Sequence, residues 1–362
     1  MSRIITFVLF LFLPIFLFAQ KSMLMPPYLQ AVTTTSVYAL IESSTIDTVS
    51  VEYGKTGQYG QLARTESIEQ TVNKTYVHNV KLTGLSPNTE YRYRARQNKD
   101  TSLPASFRSA VLPGMNFRFA FFADCRTNTD IHDLIAARIS LHQPVVSLYG
   151  GDLCFKSTYE SYKEQFFRPN QQALIAQVPF FNAVGNHEGW KENTKAFTQA
   201  PQSNSGTQDY YSFDYGDMHV LVLNTEIAYD SESPQYTFAQ QDLSSTTKPW
   251  KVVVAHKPAY CKGGHGEEKK MIEMTTKVFE PNKVNLYLGG HSHFYQHNFV
   301  NGIHHLVIGS AGAPLYTPVN TSYTLASAKS YCYSIADVSP KEFNLLIYNE
   351  KGEQLDRVYL KK

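Results

Sequence analysis

Between residues 26 and 107 apolar and polar residues alternate in short runs, at 37–41, 49–53, 77–82 and 90–95, separated by Gly, Pro, Ser and Asn. Period-two runs of this kind predict strands joined by turns. In the last run Tyr91, Tyr93 and Ala95 share one face and Glu90, Arg92 and Arg94 the other, as a strand with one buried and one solvated face requires. The pattern predicts an N-terminal β-sandwich over residues 22–110. After a linker at Val111-Leu112-Pro113-Gly114 the pattern changes. Apolar runs at 117–122, 145–149, 179–184, 220–223, 252–255 and 284–288 alternate with segments of helical length, such as 130–141 and 267–279. Buried runs spaced by helices predict an α/β domain with parallel pairing. From 305 to 360 consecutive strands with short turns follow, so residues 116–362 are expected to form two packed mixed sheets flanked by helices.

The first nineteen residues stand apart. Arg3 precedes an almost unbroken apolar run at 4–18, followed by polar Gln20-Lys21-Ser22. The run is shorter than the roughly 20 residues of a spanning helix, and it reads as a signal peptide over 1–19 that directs export. No cysteine follows it to take a lipid, so secretion or a periplasmic location is expected, without a membrane anchor. Lys and Arg total 33 against 31 Asp and Glu, a balance that gives no whole-chain field for nucleic acid. The four cysteines, at 125, 154, 261 and 332, suit either up to two disulfides or buried thiols; their spacing matches no zinc motif.

The chemistry lies where the apolar runs of the second domain end. Asp124, Asp152, Asn186, His256, His291 and His293 each follow such a run. In open α/β sheets ligands gather beyond the carboxyl ends of strands, which makes neighbours of residues distant in sequence. Singly, each has an ordinary reading as a turn, a cap or a structural histidine. Jointly they do not, because Gly150-Gly151-Asp152, Gly185-Asn186-His187-Glu188 and Gly289-Gly290-His291-Ser292-His293 set glycines beside the polar groups, allowing tight turns.

These motifs, taken in order, resemble the five signatures of the metallophosphoesterase (calcineurin-like phosphoesterase) superfamily. The segments Tyr211-Ser212-Phe213-Asp214-Tyr215-Gly216-Asp217 and His256-Lys257-Pro258-Ala259-Tyr260 resemble its purple acid phosphatase branch. Residues 82–91 resemble the turn before a late strand of a fibronectin type III-like module. The resemblance implies two metal ions, Fe, Zn or Mn, bridged by Asp152, with Asp124 and His293 on the first and Asn186, His256 and His291 on the second. It implies hydrolysis of a small phosphomonoester by a metal-bound hydroxide at this binuclear centre. It also implies catalytic roles at the substrate for His187 and, in the loop Lys262-Gly263-Gly264-His265-Gly266, for His265. Glu188 either orients His187 or caps the next turn.

Two positions depart from the family. Phe155 stands where a coordinating tyrosine is expected, and Arg126 where the wider superfamily often has a histidine. Water or His132 could complete the first ion, with Tyr159 and Tyr162 as weaker candidates. Arg126, assisted by Asn128, either grips a substrate phosphate with its planar fork or pairs with the site's own carboxylates. Two other readings stay open: a phosphodiesterase or nucleotidase on the same ligands, and a surface binding protein with a degenerate metal site.

Overall fold

The structure, a computed structural model, describes residues 21–55, 58–189, 191–198 and 205–362. The expected signal peptide lies outside them, and no helix among the described residues is long and apolar enough to cross a membrane.

The N-terminal part is built from antiparallel strands, among them Val37–Ser43, Ser50–Gly54, Gln61–Gln70, Tyr76–Leu82, Glu90–Gln97 and Ala105–Arg108. The alternation predicted for Glu90–Gln97 is present: Tyr91, Tyr93 and Ala95 are buried and Glu90 and Arg92 exposed. Val37–Ser43 differs, being buried on nearly every residue. Its outer face meets the second part of the chain, where buried Glu42 pairs with Lys163 at 2.7 Å. The short strand Tyr28–Gln30 runs antiparallel to Val37–Ser43 on one side and pairs in parallel with Phe180–Asn182 on the other. One hydrogen-bonded path therefore continues from the sandwich into the α/β part.

That part contains two sheets. In the first, Phe117–Phe122, Val146–Tyr149 and Phe180–Asn182 are parallel, and Cys332–Val338, Glu342–Asn349 and Gln354–Lys361 extend it antiparallel on the far side. In the second, Met218–Val222, Trp250–Val254, Leu286–Gly289 and Ile303–Ile308 are parallel, edged by Tyr211–Tyr215 and by Tyr295–Val300 with Thr324–Ala328. The apolar runs are continuous because both faces of each sheet are covered. Phe119, Phe121 and Leu148 face Val220, Val222, Val252, Val254 and Leu288 between the sheets. Ala120, Phe122 and Tyr149 point the other way, onto Ile135, Ala136 and Ile139 of the helix Thr129–Leu141. Leu221, Val253 and Ala255 do the same against Ala239 and Leu243 of Pro234–Ser245 and Met271 and Met274 of Lys269–Met274. Each large apolar side chain so buried contributes about 1.5–3 kcal/mol, enough in sum to hold the strand ends in fixed positions.

The expected helices are found, the second broken: Lys269–Met274 continues as a π-helical turn, Thr275–Phe279. All four cysteines are buried and unpaired, so the thiol alternative holds in this structure.

Candidate metal centre

The parallel strands end at Phe122, Tyr149, Asn182, Val254 and Gly289, and the polar residues follow within a few positions. The backbone there is unusual. Asp124, Asp152 and His291 have φ of +56°, +55° and +69°, a region that non-glycine residues rarely enter and that costs on the order of 1–3 kcal/mol each. The turns have no spare room. A Cβ at Gly185 would collide with Asp152, and one at Gly290 with the Asp124 carboxylate and, at 2.7 Å, the Ala123 side chain. Two glycines therefore let neighbouring strand ends close to within a side chain's width.

Asp152 lies at the centre. Its Oδ1 accepts the His187 N–H at 3.0 Å, and its Oδ2 accepts from Arg126 Nε at 3.3 Å. His256 donates from Nδ1 to the Gly150 carbonyl at 2.8 Å, which fixes the tautomer and leaves a lone pair on Nε2. That lone pair faces Asn186 Oδ1 at 3.1 Å and Asp152 Oδ1 at 3.3 Å. Electron-rich atoms with no shared proton are thus crowded together, an arrangement that a cation relieves. His291 sits beside them: its ring is 5.0 Å from that of His256 and its N–H donates to Asp124 Oδ2 at 2.8 Å. Burial, then the neighbouring His256 and His265, hold His291 neutral with a pKa of about 2.

Asp124 makes the same case. Its Oδ1 is buried without a hydrogen bond, and its carboxyl is pushed well up by burial and by the charge of Asp152. For Asp152 the penalty of burial is outweighed by His256, His187, the His187 N–H and Arg126, which hold it below the usual carboxylate range. Among the described residues Asp124, Asp152 and His256 offer donor atoms all within 4.8 Å of one another. Of the donors expected around the second ion, Asp152, Asn186 and His256 meet as a divalent cation needs, with the His291 ring beside them.

The first-ion set fits less well. His293 donates from Nδ1 to the Pro314 carbonyl at 2.8 Å, and its Nε2 is 3.6 Å from Asp124 Oδ1, as expected of a ligand. That same Nε2 lies 3.2 Å from Arg126 Nη2. The Arg126 side chain is only 6% exposed and pairs with Asp152. Of its two readings the structure has the salt bridge with the site's own carboxylates, and the fork does not present itself to a phosphate. Asn128 is turned away, donating to the Gly312 carbonyl and to Tyr331. His132 does not reach the centre either: it is fully buried between Phe122 and Phe166, with neither ring nitrogen bonded. Tyr162 donates to Thr194 and Tyr159 packs on Phe197. Phe155 is 44% exposed and its ring stands 5.0 Å from that of His187.

At the rim, His187 donates from Nδ1 to the Phe155 carbonyl at 3.0 Å and holds Nε2 3.8 Å from Asp152 Oδ2. His265 stacks on His291 at 4.2 Å, with its own N–H on Ser292 Oγ; the loop histidine is thus part of the centre's wall. Glu188 neither orients His187 nor caps the following turn. It is buried under the centre, where its Oε1 accepts from the backbone N–H of both Asp152 and Gly185, and burial followed by the charge of Asp152 raises it to about 8. Tyr316, which no sequence signal marked, stacks on His293 at 4.3 Å and places its hydroxyl 3.5 Å from His265. His297, His304 and His305 lie elsewhere, the first bonded to Asp356 and to His304 and the last packed on Tyr260.

Strand ends that gather carboxylates, an amide and imidazoles around unshared lone pairs define a metal-site α/β domain. The comparisons with known proteins give it a family. Residues 117–295 match the calcineurin-like phosphoesterase model, and residues 28–109 match the N-terminal domain of purple acid phosphatases. Purple acid phosphatase 21 of Arabidopsis thaliana is 30% identical over 267 residues, covering 68% of this chain and 60% of the relative. "Probable inactive purple acid phosphatase 1" of the same plant is 23% identical over 350 residues, covering 78% of this chain and 57% of its own. The purple acid phosphatase PPD1 of yellow lupin, Lupinus luteus, superposes with a TM-score of 0.78 at 21% identity, over 92% of this chain and 74% of that one. The chain spans about three fifths of the length of the curated relatives it matches. It belongs to the calcineurin-like phosphoesterases, as a purple acid phosphatase-like metallophosphoesterase with the N-terminal β-domain of that branch.

Proposed function

We propose that this chain hydrolyses phosphomonoesters outside the cytoplasm, at a metal centre built on Asp124, Asp152, Asn186, His256 and His291. One observation carries the reading: the lone pair of His256 Nε2 meets Asn186 Oδ1 at 3.1 Å and Asp152 Oδ1 at 3.3 Å with no proton to share. A bound divalent ion would supply Lewis acidity for water and for a phosphate oxygen. His187 has its Nδ1 tied to the Phe155 carbonyl and its Nε2 3.8 Å from Asp152 Oδ2, beside the centre, and hands a proton to the departing oxygen, a task suited to imidazole near neutral pH. His265 and Tyr316 wall the opposite side and orient the ester. With neutral Asn and His ligands, a divalent ion and the Arg126 guanidinium beside two carboxylates leave a surplus positive charge, which favours a phosphomonoester dianion.

Hydrolysis of p-nitrophenyl phosphate beside its bis ester tests this. Turnover of the monoester that a chelator removes and Zn or Mn restores is expected; faster turnover of the bis ester turns the reading to a phosphodiesterase or nucleotidase. The rival of a different class, a binding protein with a degenerate site, draws on Phe155 and Arg126 where ligands are expected and on the relative named as inactive. Protein purified without chelator that holds no metal and turns over neither ester would establish it. Export rests on the leader at 1–19, and N-terminal sequencing of secreted protein starting near Gln20 is the expected result.

A further inference from the structure

Arg126 occupies a place in the centre that a second cation would need. Its guanidinium is held at every nitrogen: Nε on Asp152 Oδ2 at 3.3 Å, Nη2 on His293 Nε2 at 3.2 Å and Nη1 on Thr127 Oγ1 at 3.3 Å. The Phe155 ring covers it, 5.6 Å from Cζ. The residue is 5% exposed, and Asp152 and His293, which it joins, are 1% exposed each. The two atoms it engages are the ones a first ion would take from the bridging carboxylate and from His293. The two residue types that would complete that ion's shell are both absent, since Phe155 cannot coordinate and position 126 is the arginine itself. The compact donor group, Asp124, Asp152 and His256, does not include His293.

We propose that the Arg126 guanidinium stands in permanently for the first of the two cations, so that this chain is a one-ion phosphoesterase whose other positive charge is built into the protein. The reading rests on the metal centre proposed above and specifies its stoichiometry. Charge supports it. Two carboxylates, the guanidinium and one divalent ion leave a single surplus positive charge; a second ion would leave three in a site shielded from water, where like charges repel strongly. A fixed guanidinium has no ligand exchange and does not lose its proton at any working pH. The position keeps its electrostatic role and loses its dependence on metal supply. Asp152 then still bridges two cations, one of them covalently attached to the chain.

Metal titration of the full chain, stripped and then reloaded with Mn or Zn, tests this by calorimetry and elemental analysis. Wild-type protein is expected to take one ion per chain, and Arg126→His, which removes the cation and supplies an imidazole, to take two. Loaded with Mn, the wild type gives the electron paramagnetic resonance spectrum of an isolated ion, and Arg126→His that of an exchange-coupled pair. Two ions in the wild type overturn the inference without any variant and leave the phosphoesterase reading standing. So does a variant that keeps the wild-type melting profile and still takes one ion. No ion in either protein overturns this inference and the metal centre together. Arg126→Ala serves as the second variant should the histidine misfold, with the same two-ion expectation.

Discussion

The two ends of one sheet hold histidines that differ in what their nitrogens meet. At the starting end of the parallel strands, His219 of Met218–Val222 is bonded on both sides, Nδ1 to Asp214 at 2.8 Å and Nε2 to Asp242 at 2.7 Å. His304 of Ile303–Ile308 meets His297, which in turn meets Asp356, each at 2.8 Å. At the finishing end His256 satisfies one nitrogen on a backbone carbonyl and turns the other onto atoms that are themselves acceptors. What sets His256 apart from His219 and His297 is a lone pair that meets two acceptor oxygens at once.

The comparison breaks first at His256. His256→Ala should remove bound metal and lower kcat on a monoester by roughly a thousandfold or more, whereas His297→Ala should keep metal content and kcat/KM within about threefold and lose about 1–3 kcal/mol of stability. Metal analysis beside a melting curve checks both. If His297→Ala loses metal as well, pairing does not distinguish the two clusters. His187→Ala comes next: kcat down by on the order of a hundredfold with metal content unchanged, the signature of a proton-handling side chain. Metal loss in that variant would make His187 structural.

Glu188 sharpens the contrast from beneath. It touches no expected metal position, yet its Oε1 holds the Asp152 and Gly185 amides together. Glu188→Ala should weaken metal affinity by about 10–100-fold, as loss of an outer partner does, and Glu188→Gln, which keeps an acceptor oxygen, by only about threefold. Equal losses in the two variants would mean that charge rather than the hydrogen bonds is at work.

The strands were legible because burial on both faces of each sheet leaves continuous apolar runs, and Asp152, Asn186 and His291 stood out because glycines that the turns require stand beside them. Other features were not. Tyr28–Gln30 is three residues long and fully buried, so it has no alternation to read, and its parallel partner at Phe180–Asn182 lies far along the chain. Arg126 offered two partners of similar chemistry, and the turn at Asp124, with Thr127 also at φ +76°, decides that the side chain folds inward. Glu188 carries no pattern at all: whether a glutamate after a strand caps a turn or lies under a neighbour depends on the loop packed above it, here the one carrying Asp152. Tyr316 belongs to the centre only because its loop returns past His293.

The smallest expected effect lies at the starting end, where a paired histidine should act as a stabiliser that depends on pH. Burial alone would lower His219, but its hydrogen bonds to Asp214 and Asp242, and their charges, raise it to about 9. A histidine whose folded pKa exceeds its unfolded value binds its proton more tightly when folded. Its contribution is complete below about 6.5 and is lost as pH rises through about 9. Asp214 is half exposed, so solvent screens part of the pairing and on the order of 2 kcal/mol is expected. Wild-type Tm should therefore fall between about pH 6.5 and pH 9 by more than that of His219→Gln, measured metal-free so that loading at the other end does not contribute. Parallel curves for the two proteins would mean that His219 sits neutral between its carboxylates, and the starting end would then be held by packing rather than by paired charge.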